Sequence, residues 1–259
     1  MSYKYIFLVA GLLSLISVFV IPQKKIVHAA TRTIDRSMYI WSATETTYGA
    51  EYIKNYLVSN NITTAVASGS NKAVFKQLLT ILPPQGIKVE LLIGSNSLLT
   101  NPNPTAYFDN LLSGIDTKNI SALHLDVEPH TFDDYQTKKE YYLSLYVQLL
   151  KTAKAYATQK GMKLSVDIPV FYPEATVKEI YKQADTVYLM AYQINSMNYL
   201  ATRVSEELAQ GKEKTVIAFR ANDFTTRRAF ETYLANAATK INIQTFAMHD
   251  LGRFVNLPQ

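Results

Sequence analysis

The chain has 259 residues, a formal net charge of +5 and no cysteine. Its length suits one large domain, and the lack of cysteine excludes a disulfide framework, a thiol nucleophile and a Cys-ligated zinc. Residues 1–29 carry Lys4, Lys24 and Lys25 and no acid, so without them +5 falls by three to +2. No Lys/Arg block remains that would point to nucleic acid.

The opening segment reads as an address rather than as part of a fold. Lys4 precedes an apolar run over 6–22, and Val27-His28-Ala29 supplies a small residue at the end of a signal-peptidase site. The expectation is a secreted or cell-surface protein with a signal peptide over 1–29. The alternative is an uncleaved anchor that ties the chain to a membrane or cell wall, since the run is close to the roughly 17 residues that can span a bilayer.

From residue 31 to 259 the pattern is that of one domain, with short β-branched runs alternating with longer amphipathic ones. Strands are predicted over 38–42, 63–68, 88–94, 122–127, 163–169, 186–192, 215–220 and 243–248. Helices are predicted between them over 48–59, 72–82, 104–112, 136–159, 175–183, 197–210 and 225–239, with punctuation at Pro83-Pro84, Gly86, Gly114, Gly161 and Gly211. Strict alternation of strand and helix implies parallel strands with right-handed crossovers, and about eight such units imply a closed (β/α)₈ barrel. Only about ten residues follow the eighth strand, so the final helix is expected to be reduced or absent. The alternative, an open doubly wound sheet, lacks its glycine fingerprint: Trp41-Ser42-Ala43-Thr44 follows the first strand.

Barrel chemistry gathers at the C-terminal ends of the strands, and the fourth strand ends in His124-Leu125-Asp126-Val127-Glu128-Pro129. Side chains alternate along a strand, so His124, Asp126 and Glu128 share the face that enters the barrel, while Leu123, Leu125 and Val127 pack on helices. Two neighbouring buried carboxyls raise one another's pKa, which keeps a general acid protonated. The same pair could instead be a satisfied internal network. His124, Asp126, Glu128 and His130 could also serve a metal-assisted hydrolase, but alternate positions at roughly 3.3 Å per residue spread them too far along one strand to close a tetrahedral shell. No metal or other cofactor is expected.

These residues resemble glycoside hydrolase family 18, the chitinase-like barrels. The family's D-x-x-D-x-D-x-E series on strand four aligns with residues 121–128, keeping Asp126 and Glu128 and replacing the two earlier acids by Ser121 and His124. Its M-x-Y-D motif on strand six aligns with Met190-Ala191-Tyr192-Gln193, with Gln193 in place of the acid. The resemblance implies a glycan substrate with N-acetylhexosamine units, hydrolysed with the help of the substrate's own acetamide. It implies Glu128 as proton donor, Asp126 as the group that orients the acetamide, and Tyr192 as its hydrogen-bond partner. Met190, Gln193 and His124 are expected to line the substrate site. A different barrel class, with N-E-P on strand four and a second glutamate on strand seven, fits less well, because Val127 precedes Glu128 and residues 215–220 hold no glutamate.

Three further residues are expected to bind substrate. Asp167 ends the fifth strand on the parity of Ser165, Arg220 ends the seventh, and Trp41 ends the first, where its ring could stack on a sugar. The rival to hydrolysis is a non-catalytic, exopolysaccharide-binding barrel that uses the same cleft.

Overall fold

The computed structural model describes residues 34–259; the 1–29 segment, read as signal or anchor, lies outside the described residues. In chain order the elements are β1 (Asp35–Ile40), α1 (Ser42–Ser59), β2 (Thr64–Ser68), α2 (Lys72–Ile81), β3 (Lys88–Ile93), α3 (Pro104–Leu112), β4 (Ile120–Leu125), α4 (Lys139–Gln159), β5 (Lys163–Pro169), α5 (Glu174–Gln183), β6 (Thr186–Met190), α6 (Met197–Arg203), α7 (Ser205–Gly211), β7 (Thr215–Arg220), α8 (Arg227–Ile241), β8 (Thr245–His249) and α9 (Leu251–Val255). The strands pair in sequence order, all parallel, and β1 closes on β8. This is the (β/α)₈ barrel expected from the alternation, and α9, at 5 residues, is the reduced final helix.

Each strand divides its side chains between two cores. Met38, Ile40, Leu91, Ile93, Leu123, Leu125, Val166, Ile168, Ile217 and Phe219 point outward into the large apolar layer shared with the helices. Tyr39, Val66, Leu92, Tyr188, Val216, Ala218 and Ala247 form a second cluster inside the barrel. This is the period-2 alternation of a strand whose two faces are both buried.

One irregularity sets the polarity of β4. Val89 pairs with Ile120, but the next residue of β3, Glu90, pairs with Ala122, so Ser121 is an extra residue in β4. Its hydroxyl donates to the Val89 carbonyl at 2.8 Å. In an unbroken register Glu90 would oppose Ser121, and His124 and Asp126 would turn toward the helices. The bulge keeps them on the inner face.

Several predicted boundaries shift. The helix expected from Tyr48 starts at Ser42, because the chain bends at Gly49, whose φ of 70° lies in the left-handed region that glycine adopts without strain. The helix expected over 197–210 is two helices that break at Val204. The sixth strand stops at Met190, so Tyr192 lies in the turn beyond it. The first strand ends at Ile40, which leaves Trp41 at the entrance to α1.

α1 carries a cost. Glu45 is fully buried, and neither carboxylate oxygen has a hydrogen-bond partner. Burial pushes its pKa from 4.5 up to about 8. Since the folded value lies above the ordinary one, the folded chain binds the extra proton, and stability declines as pH rises from 4.5 toward about 8. Glu45→Gln removes that slope: its Tm is expected to exceed wild type by roughly 5 °C above about pH 8, with no gain near about pH 4. Thermal melts at several pH values check this, and a parallel slope in the variant contradicts it.

Candidate active site

The inner face of β4 leads upward from His124 to Asp126 and Glu128, and each is held differently. His124 is fully buried. Its Nε2 lies 2.9 Å from Asp167 Oδ2, and its Nδ1 lies 3.1 Å from Glu90 Oε2 and 3.0 Å from Ser165 Oγ. Ser165 donates to the same Glu90 oxygen at 2.7 Å. Burial by itself would lower the His124 pKa, but the charge and hydrogen bond of Asp167, followed by those of Glu90, outweigh it and raise it to about 10. Both ring nitrogens therefore carry protons and donate. Asp167 also accepts the Tyr39 hydroxyl on its other oxygen.

Asp126 stands above this group with one oxygen, Oδ1, buried and without a partner. Burial, then the charges of Asp167 and Glu128, push its carboxyl well above the ordinary range, against the opposing pull of His124. Glu128 sits at the mouth with its side chain 32% exposed. Burial and then Asp167 raise its pKa as well. An unpartnered buried acceptor beside a carboxyl of raised proton affinity can take a donor from a ligand and give a proton to it.

The loop that carries Glu128 is clipped to the loop after β3. Asn96 Oδ1 accepts the Glu128 N–H at 2.7 Å, while its Nδ2 donates to Thr131 Oγ1 at 2.8 Å. The Thr131 hydroxyl in turn donates to the Glu128 carbonyl at 2.8 Å. His130 Nε2 lies 3.9 Å from Glu128 Oε1, and burial lowers its pKa.

The opposite wall comes from β6, β7, β8 and β1. The Tyr192 ring lies under the Arg220 guanidinium, 5.5 Å from it, and 5.7 Å from the His249 ring. Burial, then Asp167, Asp126 and Glu128, raise the Tyr192 hydroxyl pKa, which places it within electrostatic reach of all three acids. Trp41 donates from Nε1 to His249 Nε2 at 3.2 Å. Its ring also occupies the space that a side chain at Gly94 would need, with a Cβ there falling 2.9 Å from it.

The expected site residues therefore separate into two sets. Asp126, Glu128, Tyr192 and Trp41 gather at the mouth, and Met190, on the inner parity of β6 with 8% exposure, lies just below. His124 and Asp167, expected to contact substrate, are 0% and 2% exposed; they lie beneath the mouth and reach a ligand only through other residues. Gln193 is exposed at a positive φ of 59°, and its backbone N–H donates to Asp223. Arg220 pairs with the same Asp223 at 2.8 Å, which is a local ion pair rather than a counter-charge to Asp126. Among the described residues, no three of the His, Asp and Glu side chains are grouped to hold a metal ion. Sequence reading missed Tyr39, Glu90, Tyr188, Asn96 and Asp223; the first three were detectable as polar groups on the inner parity of β1, β3 and β6.

No protein-family model matches the sequence, and no curated protein matches it. Solved structures do. The spore cortex-lytic enzyme SleL of Bacillus megaterium superposes with a TM-score of 0.63 at 12% identity, over 85% of this chain and 71% of that one. The chain has the fold of the chitinases. A chitinase from Chromobacterium violaceum matches with a TM-score of 0.60 at 9% identity, over 86% and 96% of the two chains. A mutant of a class V chitinase from Cycas revoluta, solved in complex with (GlcNAc)3, matches with a TM-score of 0.60 at 11% identity, over 85% and 96%. At such identities the shared feature is the barrel; what the mouth does follows from its own residues.

The Trp41–His249 contact gives this mouth a spectroscopic handle, because Trp41 is the single tryptophan in the chain. Burial, the largest influence, lowers the His249 pKa from 6.5, so Nε2 is free to accept at neutral pH. Protonation at lower pH turns that acceptor into a donor and breaks the bond. Trp41 emission is expected to change in one step below about pH 6.5 and to lose the step in His249→Phe. A step retained in that variant would rule out His249 as its source.

Proposed function

We propose that the chain is a glycoside hydrolase acting on a glycan with N-acetylhexosamine units, with Glu128 as the general acid. The observation that carries this reading is the pairing of a partly exposed Glu128, whose pKa is raised, with an Asp126 whose buried Oδ1 has no partner. The chitinase fold supports it, as does the chito-oligosaccharide in the Cycas revoluta structure.

In this reading each residue of the mouth takes one part of the reaction. Glu128 gives its proton to the glycosidic oxygen as the bond from that oxygen to the anomeric carbon breaks. The substrate's acetamide oxygen bonds to the anomeric carbon, so no second carboxylate nucleophile is required. Asp126 Oδ1 accepts the acetamide N–H, and the Asp126 carboxyl faces the positive charge that develops on the closing ring. The Tyr192 hydroxyl donates to the acetamide oxygen and fixes its angle of attack. Water then opens the ring and returns a proton to Glu128. The Trp41 face at the mouth offers a stacking surface to the sugar. Segment 1–29 serves in this reading to export the enzyme to its polymer.

Digestion of chitin oligosaccharides and peptidoglycan by residues 31–259 tests the proposal through release of reducing ends. Glu128→Gln is expected to cut kcat roughly 100- to 10,000-fold while leaving glycan binding intact. Because the Glu128 pKa is raised, activity should persist to a higher pH than an ordinary glutamate would allow. Binding without turnover by the wild type would make the barrel a lectin-like receptor and sink the hydrolase reading.

A further inference from the structure

Beneath the mouth, the barrel axis holds a cluster that touches no substrate in the scheme above. Its centre is His124, and its two acids come from different strands: Glu90 from β3 on one side and Asp167 from β5 on the other. Ser165 bridges the Glu90 end, and the Tyr39 hydroxyl closes the Asp167 end. The Tyr188 ring meets the imidazole edge-on at 4.8 Å, and the Tyr39 ring does so at 5.6 Å. The Tyr146 hydroxyl of α4 holds the Asp167 carbonyl at 3.1 Å. The remaining titratable or charged groups above the cluster are Asp126 and Glu128 just beyond β4, Arg220 on β7 and His249 on β8.

Glu90 reaches solvent only at the opposite pole, where it lines a cavity of about 390 Å³ together with Lys88, Lys163 and Lys214. Tyr39, His124, Ser165 and Asp167 are at most 2% exposed, so what the cluster does for the reaction it does through its neighbours.

We propose that Glu90, His124 and Asp167 form a charge clamp: a buried imidazolium held between two carboxylates, which fixes Asp167 beneath Asp126 and Glu128 and makes Glu90 and His124 positioning residues for the mouth. The physical argument is compensation. Three acids converge on the inner face above and beside His124, and burying them without a cation is costly. Asp167 is also the charge that acts most strongly on both Asp126 and Glu128. A group that holds Asp167 in place therefore contributes, after burial, to the raised proton affinity of both. Glu90 acts one step further away: its hydrogen bond orients the ring and helps to keep it charged. This inference rests on the hydrolase reading for its catalytic consequence, but the clamp itself does not.

Histidine-nitrogen NMR tests the clamp without any substrate, with His124→Gln used to assign the signals. Both ring nitrogens of His124 are expected to remain protonated from about pH 6 to about pH 9; a neutral ring at pH 7 overturns the proposal. Since the folded pKa lies above the ordinary 6.5, the clamp's stabilisation is complete below pH 6.5 and is lost as pH rises toward about 10. Glu90→Gln, close in shape to the native side chain, should deprotonate His124 at lower pH than wild type does.

On a turned-over glycan, the same variant should lose about tenfold in kcat with KM within about twofold, and Glu90→Asp should recover part of the loss. A kcat and pH profile unchanged in Glu90→Gln, in a protein that melts like wild type, removes the positioning role. If wild type turns over no glycan, the hydrolase reading fails, while the NMR result still decides the clamp.

Discussion

Glu90 pairs with Ala122 where an unbroken register would set it against Ser121, and everything at the barrel mouth depends on that slip. In a strand buried on both faces, parity decides whether a carboxyl meets helices or the barrel axis. With the extra residue in place, His124 and Asp126 line up with Leu92 and Glu90 inside, while Leu123 and Leu125 complete the apolar layer outside. Without it, the apolar residues would fill the axis and the acids would face α3 and α4. The position of Ser121 is therefore a condition for the chemistry, though its side chain only ties the bulge to Val89.

Once inside, the acids pose an electrostatic problem that the barrel solves by grading. Glu90 and Asp167 share one imidazolium, deep and fully hydrogen-bonded. Asp126, higher up, is pushed upward by burial and by the charges of Asp167 and Glu128, against the pull of His124. Glu128, at the rim, is partly hydrated, and burial and then Asp167 raise its carboxyl as well. Depth along the barrel axis thus separates two carboxylates that share a cation from two carboxyls whose proton affinity is raised. The opposite wall is aromatic, with His249 in contact with both Trp41 and Tyr192. It adds shape with no further negative charge.

How much of this was legible in the sequence differs from element to element. The alternation of strands and helices declared the barrel, and His124-Leu125-Asp126-Val127-Glu128 declared its inner and outer faces, because period-2 patterning is local. The Gly49 bend and the Val204 break were hidden because amphipathic spacing continues across them. Glu90 was passed over since one acid in Val89-Glu90-Leu91-Leu92 looks like an accident when read along the chain. Its meaning lies in His124 and Ser165, which come from strands that only the closed barrel brings alongside. His124 was placed among substrate contacts because its parity was readable and its depth was not. Asn96 carries no periodic signal at all; its role follows from two loops meeting.

The seam between β1 and β8, where Met38 lies beside Met248, has a consequence for the order in which the molecule can be completed. Strands β1 to β7 can pair in turn as the chain lengthens, yet until Thr245–His249 is present both β1 and β7 remain open edges. His249, which receives the Trp41 hydrogen bond, arrives with that last strand. The ring that closes the barrel and the ring that lines its mouth are thus finished by the same few residues. A chain cut short before them would lack both a sealed wall and a finished cleft, and would present adhesive edges to its neighbours instead.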